Sequence, residues 1–121
     1  MASILFVDDE PLTRKLLTQA AQILGHKPFT ASTEEEALSL AHSEQPDLIV
    51  TDINLNGRRS LGMIDQLHKA PGTTKIPIVT LSALDPREIQ DIARAHGAVA
   101  SLEKPIRLQT LLEVIRQYAP N

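Results

Sequence analysis

Five positions in this chain carry residue types that could do chemistry together: Asp8, Asp9, Asp52, Ser82 and Lys104. Each lies at or just past the end of a short apolar run: Ile4 to Val7, Leu48 to Val50, Ile78 to Leu81 and Val99 to Leu102. Such runs read as strands buried on both faces. In an open parallel sheet the loops beyond the strands' carboxyl ends converge on one crevice, where ligands bind. Separate segments therefore project an acidic pair, a further acid, a hydroxyl and an ammonium toward one end of the sheet. Three carboxylates sharing a crevice repel, by roughly 4 kcal/mol per pair at about 4 Å and an effective dielectric near 20. A hard divalent cation with oxygen ligands relieves that repulsion, and Mg2+ suits a site with few carboxylates, a carbonyl and several waters. The ion would also lower the pKa of Asp52 and keep it ionised as a nucleophile. With Lys104 opposite, an incoming phosphoryl group would find positive charge for its equatorial oxygens, and Ser82 could donate a hydrogen bond to one of them after transfer.

Each of these residues alone has an ordinary structural reading. Asp8-Asp9-Glu10-Pro11 reads as a helix start with favourable acidic charge. Asp52 could cap a loop, and Ser82 could cap the helix that follows. Lys104 could be a surface residue with a snorkelling stem, and Pro105 a helix-start proline. The coincidence favours the joint reading, because unrelated surface residues have no reason to share the functional ends of several strands.

The elements that must hold these residues alternate. A weaker segment, Lys27 to Ala31, reads as a further, more exposed strand, and its lack of a polar residue at the shared end suits a sheet edge. Pro11 opens a helix whose Leu12, Leu16, Ala20, Ile23 and Leu24 read as one inward face closed by Gly25. Ser32 or Thr33 caps a second helix, with Glu34, Glu35 and Glu36 in its first turn and Ala37, Leu38 and Ala41 inward. Leu61, Ile64 and Leu67 mark a third. Asp85-Pro86 opens a fourth containing Ile89, Ile92 and Ala93, which ends at His96-Gly97. Leu108, Leu111, Leu112 and Ile115 mark the fifth. Strand and helix in alternation predict an α/β fold, a parallel sheet covered on both faces with right-handed crossovers.

The 121 residues, 42% of them hydrophobic, suffice for one continuous core, and one domain over residues 1–121 is expected. Phe6, Phe29 and Tyr118 are the aromatic residues, so that core must be aliphatic. The absence of cysteine excludes disulfides, thiolate metal sites and a cysteine nucleophile, and fits a reducing cytoplasm. No apolar stretch approaches the length of a membrane span, and the start MASILFVDDE lacks the pattern of a secretion signal, so a cytoplasmic protein is expected. A formal charge of -3 provides no basic footprint for direct nucleic-acid binding. His26, His42, His68 and His96 share no metal-ligand spacing and read as surface residues, as does the loop pair Arg58-Arg59.

The whole constellation resembles the receiver domain of bacterial response regulators, CheY-like modules of two-component systems, along essentially the full chain. The resemblance rests on Asp8-Asp9, on Asp52 in IVTDINL, on Ser82 in IVTLSAL and on Lys104-Pro105. It implies a flavodoxin-like, doubly wound five-stranded sheet of order 2-1-3-4-5 with five helices. It implies Asp52 as phosphoacceptor with Ser82 and Lys104 assisting. Asp9 and Asp52 would ligate Mg2+ directly, the main-chain carbonyl of Asn54 would be a third ligand, and Asp8 would act through water. It implies a phosphohistidine donor on a sensor histidine kinase or histidine phosphotransfer protein. A downstream effector protein or output domain would read the surface of the fourth helix, fifth strand and fifth helix, including Arg87, Asp91 and Arg94. A cis Lys104-Pro105 bond is implied as well.

The chain departs from the family's habits at several places. Asn56 and Ser60 stand where proline and glycine are usual, and Ser82 replaces the commoner threonine. Ser101 falls where many members carry a switch tyrosine or phenylalanine, so no aromatic swing can report phosphorylation. Leu84 offers no polar side chain to orient a hydrolytic water, and slow self-dephosphorylation is expected. The chain would catalyse only its own modification, as a stand-alone receiver or as one receiver of a longer regulator. Competing functions fare less well. A flavin-binding protein needs a hydroxyl- or glycine-rich loop after the first strand, where this chain is acidic. A metal-dependent phosphatase with an aspartyl-phosphate intermediate needs a second acid at position 54 and a cap domain. A phosphorylation-independent interaction module that keeps the fold is the remaining alternative.

Overall fold

The computed structural model describes residues 1–119. Five parallel strands form one sheet: β1 (Ser3–Val7), β2 (Lys27–Ala31), β3 (Leu48–Asp52), β4 (Ile78–Ser82) and β5 (Ala100–Glu103). Their spatial order is β2-β1-β3-β4-β5, the order expected from sequence. Five helices connect and follow them: α1 (Pro11–Ile23), α2 (Glu34–Glu44), α3 (Leu61–Lys69), α4 (Pro86–His96) and α5 (Leu108–Tyr118).

Side chains alternate across a strand, so each central strand feeds two cores. Leu5, Val7 and Ile49 face a layer containing Ala37, Ala41, Met63, Ile64, Leu67, Ile89 and Ala93, from α2, α3 and α4. Ile4, Phe6, Val50, Val79 and Leu81 face the layer of α1 and α5, with Leu17, Ala21, Leu111, Val114 and Ile115. Near-continuous burial of β1, β3 and β4 explains why their sequences lack polar alternation. β2, at the edge, is largely part-exposed.

One helix turns only part of the expected face inward: in α1, Ala20 and Leu24 pack against the core as expected. In α1 the buried residues are Leu17 and Ala21, while Leu12, Leu16 and Ile23 are 60%, 57% and 75% exposed. Leu17 and Ala21 share that core with Ile4 and Phe6. The cap of α2 is Thr33, whose hydroxyl accepts from the Glu36 N–H at 3.2 Å, while the Glu36 carboxylate turns back to accept from the Ser32 N–H at 2.7 Å. Asp85 caps α4 through the Arg87 N–H.

A further element is a two-residue-armed antiparallel hairpin after β3, pairing Asn54–Leu55 with Arg58–Arg59. Asn56 and Gly57 form its turn with φ of 53° and 80°, the double left-handed geometry of a type I′ turn that Asn-Gly favours. Arg58 and Arg59 are exposed, as expected. The histidines divide: His42 and His68 are exposed, but His26 Nδ1 accepts from the Ala2 N–H at 3.0 Å and His96 Nδ1 lies 3.6 Å from Asp65 Oδ1.

Candidate functional site

β1 and β3 are neighbours in register, Val7 beside Thr51, so the residues that follow them emerge side by side. Asp8 is fully buried, Asp52 is 7% exposed as the last residue of β3, and Asp9 is exposed on the rim. One ligand oxygen from each lies within 4.8 Å of the others. Local hydrogen bonds aim the carboxylates: Asp8 Oδ1 accepts from the Glu10 N–H at 2.9 Å, and Asp52 Oδ1 from the Asn54 N–H at 3.0 Å. Asp9 Oδ2 accepts from the Asn56 N–H at 3.0 Å.

Lys104, the residue after β5, closes the cluster, with Nζ at 2.7 Å from Asp8 Oδ2 and 2.9 Å from Asp52 Oδ2. Burial pushes the Asp52 carboxyl above the ordinary aspartate range, and the Asn54 N–H and Lys104 recover only part of that shift. For Lys104, burial alone would lower the ammonium, but bonds and charge from Asp8 and Asp52 together outweigh it and hold it above its usual value. At separations near 4.8 Å each carboxylate pair repels by about 3 kcal/mol, again at an effective dielectric near 20. The Lys104 ammonium bonds to Asp8 and Asp52 but not to Asp9, so three carboxylates outnumber the one ammonium among them. The donor set is entirely oxygen, without sulfur or imidazole, and one of its members faces water, which matches a hard, partly hydrated divalent ion such as Mg2+.

Ser82 ends β4, and its buried hydroxyl accepts from the Leu84 N–H at 2.9 Å, leaving its own proton to donate. The Lys104 N–H donates to the Ser82 carbonyl at 2.7 Å, which couples the two residues across the β4–β5 boundary. The Lys104-Pro105 bond is cis, as expected. Leu84 is 40% exposed. Thr80 and Ser101 are partners in the β4–β5 register, and the Thr80 hydroxyl donates to Ser101 Oγ at 2.7 Å. A hydroxyl pair thus occupies the position where an aromatic side chain was absent from the sequence.

The structure therefore brings Asp8, Asp9, Asp52 and Lys104 into one cluster, sets Ser82 on the adjoining strand end, and places Asn54 in the first hairpin arm. Sequence reasoning missed three supporting residues. Arg14 Nη1 donates to the Asp8 carbonyl at 2.7 Å, Asn56 contacts Asp9, and the Ser60 hydroxyl donates to the Asp52 carbonyl at 2.8 Å. The Asn56-Gly57 dipeptide was a readable hairpin signal. Neither Arg14 nor Ser60 carried one, since both act on backbone carbonyls.

Known proteins agree with this geometry. The response regulator receiver domain family matches residues 4–116. Protein PilH of Pseudomonas aeruginosa is 32% identical over 115 residues, 95% of this chain and 95% of PilH. The polar-differentiation response regulator DivK of Brucella ovis is 28% identical over 116 residues, 96% of this chain and 94% of DivK. Chemotaxis protein CheY4 of Vibrio cholerae shares the fold with a TM-score of 0.90 at 27% identity, covering 98% of both chains. A sheet of this order, an acidic cluster at its carboxyl end and a family match along nearly the whole chain lead to one conclusion: the chain belongs to the response regulator receiver domains of two-component signalling, with their CheY-like, flavodoxin-like fold.

Proposed function

We propose that the chain is a magnesium-dependent phosphoacceptor that takes a phosphoryl group onto Asp52 from a phosphohistidine and passes the resulting change to an effector. The donor would be a sensor histidine kinase or a histidine phosphotransfer protein, which would place the chain in the cytoplasm with it. The observation that carries this reading is the charge balance at the carboxyl end of the sheet: Asp8, Asp9 and Asp52 against the single ammonium of Lys104. The excess of carboxylates, all with oxygen donors, suits a divalent ion.

Asp9 and Asp52 would hold Mg2+ directly, with the Asn54 carbonyl as a third ligand and Asp8 through water. When bound, the ion supplies the positive charge that keeps Asp52 ionised and offsets charge on the phosphoryl oxygens. The Asp52 carboxylate forms the new P–O bond as the donor's P–N bond breaks, and the departing imidazole keeps the electron pair. Lys104, already beside Asp52 Oδ2, turns its ammonium to a phosphoryl oxygen, and the Ser82 hydroxyl donates to another. The chain catalyses only its own modification.

A protein donor needs a surface beside Asp52. An apolar groove of about 500 Å³ between α1 and the segment joining β5 to α5 is lined by Leu16, Leu17, Ile106, Leu108 and Lys104. The effector would read α4, β5 and α5, where Arg87, Asp91 and Arg94 are exposed. The Thr80-Ser101 hydroxyl pair favours a second reading, a phosphorylation-independent interaction module, because it offers no aromatic to swing. Incubation with Mg2+ and acetyl phosphate followed by intact mass separates the two. The first reading expects one added phosphoryl group, absent in Asp52→Asn; an unchanged wild-type mass supports the second.

A further inference from the structure

We propose that Asn56, at the tip of the hairpin after β3, is a positioning residue for the metal site and acts through Asp9; this rests on the reading of Asp8, Asp9 and Asp52 as ligands. Asp9 is the one exposed member of the trio, so burial does not fix its side chain. Its Oδ2 instead accepts the Asn56 peptide N–H at 3.0 Å. A carboxylate has acceptor capacity beyond one such bond, so Asp9 can be held by Asn56 and still face a cation. Ordering it beforehand reduces the entropy lost when an ion binds.

The donor is itself anchored on two sides. The Asn56 side-chain amide donates to the Ser32 carbonyl at 3.2 Å, and Ser32 is held by Glu36 through its N–H at 2.7 Å and its hydroxyl at 3.2 Å. Those bonds, with the Ser32 N–H first, hold the Glu36 carboxyl below its usual range. At the base of the hairpin the Ser60 N–H donates to the Ile53 carbonyl at 2.7 Å, and its hydroxyl to the Asp52 carbonyl at 2.8 Å. A chain of contacts therefore runs from the cap of α2 through Ser32 and Asn56 to Asp9.

The residue type follows from these demands. At φ of 53° the backbone favours Gly, Asn or Asp. Glycine would keep the N–H but lose the tie to Ser32. Aspartate would oppose a carboxylate to the Ser32 carbonyl and add charge to an acidic cluster. Proline could neither adopt the φ nor donate. Asparagine alone supplies the turn, the peptide donor and the anchor.

Mg2+ titration of the full chain by calorimetry tests this, with folding checked by circular dichroism. Wild type binds, Asp9→Asn loses binding, and Asn56→Gly weakens it severalfold. Asn56→Pro puts the family's usual residue into this hairpin, and because this turn needs a positive φ and this Asp9 is held by the residue 56 N–H, it should weaken binding severalfold. In amide-resolved NMR without metal, the residue 56 N–H resonance should shift upfield in Asp9→Asn, which reports that the contact forms in solution, while the Mg2+ affinity of the Asn56 variants reports whether it positions the ligand. Should Asn56→Pro fail to fold, the Asn56→Gly affinity and that resonance decide. Folded Asn56 variants with wild-type or tighter affinity, or a resonance indifferent to Asp9→Asn, would overturn the positioning role alone. A wild-type chain that binds no Mg2+ would overturn the ligand reading and this role with it.

Discussion

At the scale of single residues, the account turns on what burial does to Asp52. In the absence of metal its carboxyl lies above the ordinary aspartate value, so the folded state binds that proton more tightly than the unfolded chain does. Its contribution to stability is therefore full below the ordinary value and is lost as pH rises through the raised one. Metal-free protein should lose stability across that acidic window, and Asp52→Asn should flatten the loss and melt at a higher temperature near neutral pH. A lower melting temperature for Asp52→Asn at neutral pH would contradict this. Leu84 provides a kinetic counterpart: with no polar side chain two residues past Ser82, phosphate loss should be slow, and Leu84→Glu should accelerate it severalfold when timed after removal of the donor. Unchanged kinetics would remove Leu84 from the account. These residues were legible because each follows an apolar run, whereas Arg14 and Ser60 bond to backbone carbonyls, contacts that any of several polar types could make.

At the scale of elements, strands and helices were readable because the near-complete burial of β1, β3 and β4 leaves a largely apolar signature, and because Thr33 and Asp85 cap helices in the expected way. The inward face of α1 was readable only in part: Ala20 and Leu24 pack as expected, but Leu17 is buried where Leu12, Leu16 and Ile23 were expected and are exposed. The hairpin after β3 has arms too short to show alternation, so Asn56-Gly57 was its one legible mark. At the other end of α4, Gly97 has φ of 120°, and a Cβ there would run into the His68 ring of α3. Gly97→Ala should therefore cost about 2 kcal/mol, from backbone strain and from parting α3 and α4. Urea denaturation measures it, and a variant as stable as wild type would show that the two helices can separate freely.

At the scale of the whole molecule, the proposed reading has Asp52 reached from one side of the domain and read from another. The groove beside α1 borders Lys104, while Arg87, Asp91 and Arg94 lie on α4. Leu16 is 57% exposed in that groove, so replacing it should disturb docking and leave the chemistry alone. Leu16→Asp should slow transfer from a phosphohistidine protein by at least severalfold while phosphorylation by acetyl phosphate proceeds at the wild-type rate. Equal slowing with both donors would place Leu16 in the fold's integrity and not in docking. The sequence could not reveal this surface, because an exposed leucine stripe and a core stripe look alike until the helix is packed.

The central claim is that Asp52, and no other residue, accepts the phosphoryl group in a reaction that needs the acidic cluster to hold a divalent ion. Treatment with acetyl phosphate, borohydride reduction of the acyl phosphate and peptide mass spectrometry would locate the modified residue. The account predicts a reduced residue at position 52 when Mg2+ is present and none when it is chelated. Modification at another carboxylate, or at position 52 regardless of Mg2+, would contradict it.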